Sequence, residues 1–267
     1  MAQDQLTSKI SESIISSNKK PAFIPFIVSG YPDIETTGKL IKLFQNHGAA
    51  AVELGISFSD PLADGPVIQN AAKIALDNGI TINKIFELLI NTKDKISIPV
   101  ILFSYINPVI RYGMEEFLKQ AKSANVSGVI IPDLPIEESE EFAVLCEKYD
   151  VDLIMLVAPN SDKERIRMIS KASRGFIYLV SSIGVTGVRE SFSSLLTDLV
   201  NEIKSVTDVP VSVGFGISKP EHIIDLQKLK VDGAIVGSAL IKIIDNYKHD
   251  QSLLLEEVSK YITELYS

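Results

Sequence analysis

Residues 210–244 read PVSVGFGISKPEHIIDLQKLKVDGAIVGSALIKII, and they hold one unit twice: a short apolar run, a glycine turn, then a helical pattern. The runs at 210–213 and 234–236 are too short for a core helix and nearly continuous in hydrophobicity, as for parallel strands buried on both faces. Gly214-Phe215-Gly216-Ile217-Ser218 follows the first run and Gly237-Ser238 the second. Ser218-Lys219-Pro220-Glu221 reads as a capping box, with the serine oxygen accepting from Glu221 N–H at the start of a helix.

The same unit recurs upstream. Further apolar runs occupy 23–28, 50–54, 99–103, 128–131, 153–157 and 176–180, which makes eight in all. Helical patterns separate them: Leu40, Ile41 and Phe44 before Gly48, and Phe142, Leu145, Cys146 and Tyr149 after Pro135. The second interval holds two helical patterns, around 68–76 and 82–90. Because βαβ crossovers share one hand, eight such units point to a closed (β/α)8 TIM barrel, with additional helices. An open doubly wound sheet is the alternative, but no early GxGxxG turn follows the first run. Leu6, Ile10 and Ile14 predict an extra N-terminal helix closing the barrel's base, and without a linker residues 1–267 form a single domain.

Composition excludes several classes of function. Formal charge is -8 and basic runs are absent, which argues against nucleic-acid or anionic-membrane surfaces. No run approaches the roughly 20 apolar residues of a membrane span, and the first 20 residues lack the apolar core of a secretory signal. The lone Cys146 cannot form an internal disulfide and suggests a reducing compartment. The expectation is a soluble cytoplasmic protein.

In a barrel the site is built from loops leaving the carboxyl ends of the strands. Glu53 ends the second run, where a side chain aimed into the mouth is partly desolvated and can carry a proton near neutral pH. A satisfied core glutamate is the competing reading. Asp64 follows in a Pro- and Gly-bracketed turn, as a second carboxylate at the mouth or as an N-cap for the helix near Pro66. The glycine turns after the seventh and eighth runs suit a phosphate cradle, since glycine lets backbone approach an anion and helix N-termini offer free N–H groups. Two ordinary capped turns would look alike.

Residues 181–189, with Gly184, Thr186 and Gly187, are long enough for a lid or for a plain connection. Tyr105-Ile106-Asn107-Pro108 and Ile131-Pro132-Asp133-Leu134-Pro135 complete the rim, and Phe23, Tyr105, Tyr178 and Phe215 are candidate walls of an apolar slot. For Phe23 and Tyr178, barrel filling competes. His47, His222 and His249 fall away from strand ends, and no lysine ends a run, which disfavours a Schiff base. Glu53, Asp60, Asp64 and Asp133 are too few and too scattered to argue for a metal, and none is expected.

These segments resemble the tryptophan synthase α-subunit family from Phe23 to about Ser238. The most specific stretch is Phe58-Ser59-Asp60-Pro61-Leu62-Ala63-Asp64-Gly65-Pro66, preceded by Glu53-Leu54-Gly55. The resemblance implies a lyase that cleaves indole-3-glycerol phosphate to indole and glyceraldehyde 3-phosphate. Glu53 would be the acid/base and Asp64 the partner of the indole N–H. Phe23, Tyr105, Tyr178 and Phe215 would flank the ring. Gly187, Gly216, Gly237 and Ser238 would take the phosphate, and Thr186 would close over the site onto Asp64. Asp60, Pro61, Asn107, Pro108 and Asp133, with the 182–187 loop, would face a β subunit in an α2β2 heterotetramer. Pyridoxal phosphate is implied only in that partner, and no cofactor here. Departures are Ser57, where the family commonly has proline, Phe103 for a smaller aliphatic residue, and Ser182-Ile183 in the lid. On residues alone, another sugar-phosphate barrel enzyme or a mainly regulatory subunit remain alternatives.

Overall fold

The computed structural model describes residues 8–180, 189–214 and 216–267, excluding the side chains of 189–195. Nine parallel strands form one sheet: β1 (Ala22–Val28), β2 (Val52–Gly55), β3 (Val100–Phe103), β4 (Val126–Ile130), β5 (Asp152–Ile154), β6 (Leu156–Val157), β7 (Ile177–Val180), β8 (Val211–Gly214) and β9 (Gly233–Val236). The strand order β5-β4-β3-β2-β1-β9-β8-β7-β6 places the two halves of the 153–157 run at the two ends of the sheet. One half pairs with β4, the other with β7, and Tyr178 N–H donates to the Met155 carbonyl between them at 3.0 Å. That run therefore closes the barrel, as two short pieces and not the single expected strand.

Helices cover the outer face: α2 (Ile34–Asn46), α3 (Pro66–Asp77), α4 (Ile82–Thr92), α5 (Ile106–Tyr112), α6 (Met114–Ser123), α7 (Glu140–Lys148), α8 (Lys163–Ala172), α9 (Arg189–Lys204), α10 (Pro220–Lys228), α11 (Ser238–Tyr247) and α12 (Gln251–Leu265). Side-chain caps start several of them. Asp33 accepts from Thr36 N–H at α2, and Thr81, Asp162 and Asp250 serve α4, α8 and α12 in the same way. The capping box expected at Ser218 is not formed. The cap of α10 is Lys219, without a side-chain bond, and Ser218 N–H donates to His222 Nδ1 at 3.1 Å. Proline at the first helical position removes one N–H that a cap would have satisfied.

The extra N-terminal helix is α1 (Lys9–Ser16), with Ile10 and Ile14 fully buried; Leu6 lies outside the described residues. Ile10 Cδ1 occupies the space beside Gly128 and Gly175, where added Cβ atoms would come within 2.7 and 3.3 Å. Ser8 Oγ donates to Asp152 at the foot of β5. An apolar plug and a hydroxyl–carboxylate bond thus seal the base and leave the opposite mouth for chemistry.

Candidate active site

Strand register decides which side chains enter the barrel. Glu53 pairs with Phe26 on one side and Ile101 on the other, and Gly55 with Val28 and Phe103. With a period of two, Phe26, Glu53, Ile101 and Phe103 share the inner face. Tyr178 and Gly214 share a face, because a Cβ on Gly214 would overlap the Tyr178 hydroxyl, and the influence of the Glu53 carboxyl on that hydroxyl marks the face as the inner one. Phe23 has the opposite parity. Its ring meets Phe44 at 6.2 Å and Tyr266 at 5.6 Å, under α2 and α12. Phe23 is therefore outer core, not a wall of the slot as expected.

Phe26 takes the place foreseen for Phe23. Its ring stands edge-on to Phe103 at 5.5 Å, and Cβ atoms added at Gly55 and Gly237 would come within 2.9 and 3.1 Å of it. The two glycines let the ring lie between the Glu53 strand and the last glycine turn. Sequence alternation alone does not choose between Phe23 and Phe26, because a strand buried on both faces carries no polar residue to mark its parity.

Glu53 is fully buried, and neither carboxylate oxygen has a hydrogen-bond partner among the described residues. Burial pushes its pKa well above the ordinary value, which favours the neutral acid. Asp64 is half-buried in the turn before α3. Burial raises its pKa to about 6, against a lowering by the Tyr105 hydroxyl. Tyr105 Oη also accepts the Ala63 N–H at 2.9 Å, which ties the Asp64 turn to the N-cap of α5, just beyond β3. Burial raises the pKa of the Tyr178 hydroxyl, and the neighbouring Glu53 and Asp64 carboxyls raise it further.

The last two turns differ in backbone. Gly216 has φ +82°, a left-handed conformation that glycine adopts without strain. Gly237 caps α11 without a side-chain bond, and α11 begins at Ser238, so its first N–H groups are free to meet an anion. Phe215, Thr186 and Gly187 lie outside the described residues.

On the rim, Asp60, Asn107 and Asp133 are exposed and Pro61 and Pro108 partly so. Asp133 Oδ1 accepts Ile106 N–H at 2.9 Å and so caps α5, which carries Asn107 and Pro108. Leu62 is 84% exposed beside Asp60 and Pro61. Among the described residues no group of three or more His, Cys, Asp and Glu side chains could hold a metal ion.

A closed βα barrel with a solitary buried carboxyl at the carboxyl-end mouth and an open helix N-terminus beside it defines the class: a barrel enzyme. Comparison with known proteins narrows this. The family model "Tryptophan synthase alpha chain" matches residues 13–266. The tryptophan synthase alpha chain of Prochlorococcus marinus is 45% identical over 264 residues, 98% of each chain. That of Arabidopsis thaliana is 44% identical over 242 residues, 91% of this chain and 88% of the relative. Among solved structures, the tryptophan synthase complex of Pyrococcus furiosus gives a TM-score of 0.84 at 35% identity, covering 92% of this chain and 98% of that one. A structure of the mutually activating a2b2 complex from the same organism gives 0.85 at 37%, with the same coverage. The chain belongs to the tryptophan synthase alpha chain family. A lyase of tryptophan biosynthesis follows from that membership.

Proposed function

We propose that this chain cleaves indole-3-glycerol phosphate to indole and glyceraldehyde 3-phosphate. The observation that carries the reading is Glu53: a buried carboxyl at the mouth with both oxygens unpartnered among the described residues. A purely structural role would satisfy those oxygens. Neutral Glu53 donates a proton to the ring carbon that bears the glycerol chain, giving a protonated indolenine. The carboxylate so formed takes the proton of the adjacent side-chain hydroxyl. The carbon–carbon bond then breaks, its electron pair flows into the indolenine, and the hydroxyl carbon leaves as the aldehyde. The indolenine is its own electron sink, so the step needs no cofactor.

Asp64, with a pKa of about 6, is mostly ionised at neutral pH and suits the indole N–H as positive charge develops there. Phe26, Phe103, Tyr105 and Tyr178 form the slot for the flat ring. Gly216, Gly237 and Ser238, at the left-handed turn and the open end of α11, take the phosphate. Thr186, Gly187 and Phe215 keep the roles that the resemblance implies. The rim holding Asp60, Pro61, Leu62, Asn107 and Pro108 receives a β subunit in an α2β2 assembly, and indole passes to the pyridoxal phosphate held there. The relatives solved as complexes support this, as does the exposure of Leu62. The lone, buried Cys146 fits a reducing cytoplasm. No helix among the described residues is long and apolar enough to cross a membrane.

Glu53→Gln tests the assignment. Single-turnover release of indole should fall by about 100- to 10,000-fold, with binding of an unreactive indole phosphate analogue retained. Cleavage near the parent rate would remove Glu53 from the chemistry.

A further inference from the structure

Gln69 sits in the first turn of α3, and its side chain does something a helix cap does not. Caps accept hydrogen bonds from a helix's own free N–H groups. Gln69 Nε2 instead donates outward, to the Asp64 carbonyl at 2.8 Å and the Pro61 carbonyl at 3.4 Å. Two carbonyl partners require the amide nitrogen, which fixes the orientation of the side chain. The backbone N–H of Gln69 is already used, bonding Gly65 O at 3.0 Å.

The turn it holds is the one that carries Asp64. On its other side the Ala63 N–H is held by Tyr105 Oη at 2.9 Å. The backbone on either side of Asp64 is thus gripped from two places, the N-cap of α5 and the first turn of α3. Helix α3 is itself fixed: Ala71, Ala72 and Ala75 are buried, and it packs against α11, whose N-terminus adjoins Gly237. A route of packed and hydrogen-bonded groups therefore runs from the phosphate-side helix to the Asp64 turn, ending at the Gln69 amide.

We propose that Gln69 is a positioning residue that sets the Asp64 carboxylate against the substrate through the backbone of its turn. The proposal rests on the reading of Asp64 given above and extends it to a side chain that touches no reacting atom. Releasing the turn should let Asp64 swing toward water. Burial is what raises its pKa, so greater exposure lowers it toward the ordinary carboxylate value of 3.8. Tyr105 and Tyr178, the other titratable groups coupled to Asp64, stay protonated throughout the range concerned.

The experiment is steady-state cleavage of indole-3-glycerol phosphate by the full chain, comparing Gln69→Leu and Gln69→Glu with the parent across pH 5 to 8. Both variants should lose about tenfold in kcat, keep KM within about twofold, and melt at the parent temperature, since the side chain is exposed. The midpoint of the acidic limb should move to lower pH. A parental kcat in both variants overturns the proposal. So does a loss of kcat that follows a fall in Tm with the acidic limb unmoved, because that marks a structural part only. Absence of cleavage by the parent chain would instead overturn the reading of the reaction.

Discussion

Glu53 and Asp64 show how different degrees of burial separate two like groups in their ionisation. Glu53 is fully buried, which pushes its pKa well above the ordinary value; Asp64, at the edge, is raised only to about 6. Activity should therefore fall as pH drops through about 6, where Asp64 takes up a proton, and Asp64→Asn should abolish that limb along with most of kcat. Stability should move the other way for Glu53. Its folded pKa lies above the ordinary 4.5, so unfolding releases a proton at higher pH and the group costs stability as pH rises from there. Glu53→Gln should consequently raise Tm at pH 7, with the difference closing below about pH 4. A Tm difference independent of pH would contradict a neutral buried acid. Glu53 was readable in the sequence because a carboxyl ending an apolar run has few structural uses. Phe26 was not, since Phe23 and Phe26 lie in one run whose inward face only the pairing with β2 reveals.

At the scale of elements, the strands were readable as short continuous apolar runs, and the helices as amphipathic patterns between them. The break at Met155 and the failed box at Ser218 were not, because both depend on neighbours distant in sequence: β4 and β7 for the first, His222 geometry for the second. Asp133 illustrates the same limit. It was expected as a rim residue facing a partner; what the structure shows is that it caps α5 from the neighbouring loop. Asp133→Ala should cost about 1 kcal/mol, seen as a Tm lower by about 2–4 °C, and should weaken any function of Asn107 and Pro108 that needs α5 in place. An unchanged Tm would mean the cap contributes nothing. Gly237→Val places a branched side chain against Phe26 at the open end of α11. Its KM for indole-3-glycerol phosphate should rise by about tenfold or more, and inorganic phosphate should compete less well. An unchanged KM would move the phosphate away from this turn.

The whole molecule is a barrel sealed at one end by α1, with the Asp64 turn and the glycine turns at the other, and this polarity follows from strand direction once the eight runs are recognised. What the chain folds into was therefore largely written in its periodicity, and its family in the 58–66 stretch beside Glu53. A partner is less directly inscribed: an exposed Leu62 beside Asp60 and Pro61 is a hint that becomes a surface only when the loops are placed together. The most direct measurement is indole release from indole-3-glycerol phosphate by the purified chain, alone and with a tryptophan synthase β subunit. Release should be slow for the chain alone and rise sharply when the partner is added. No indole in either condition would contradict it, leaving the barrel and its buried carboxyl to be explained by a different substrate.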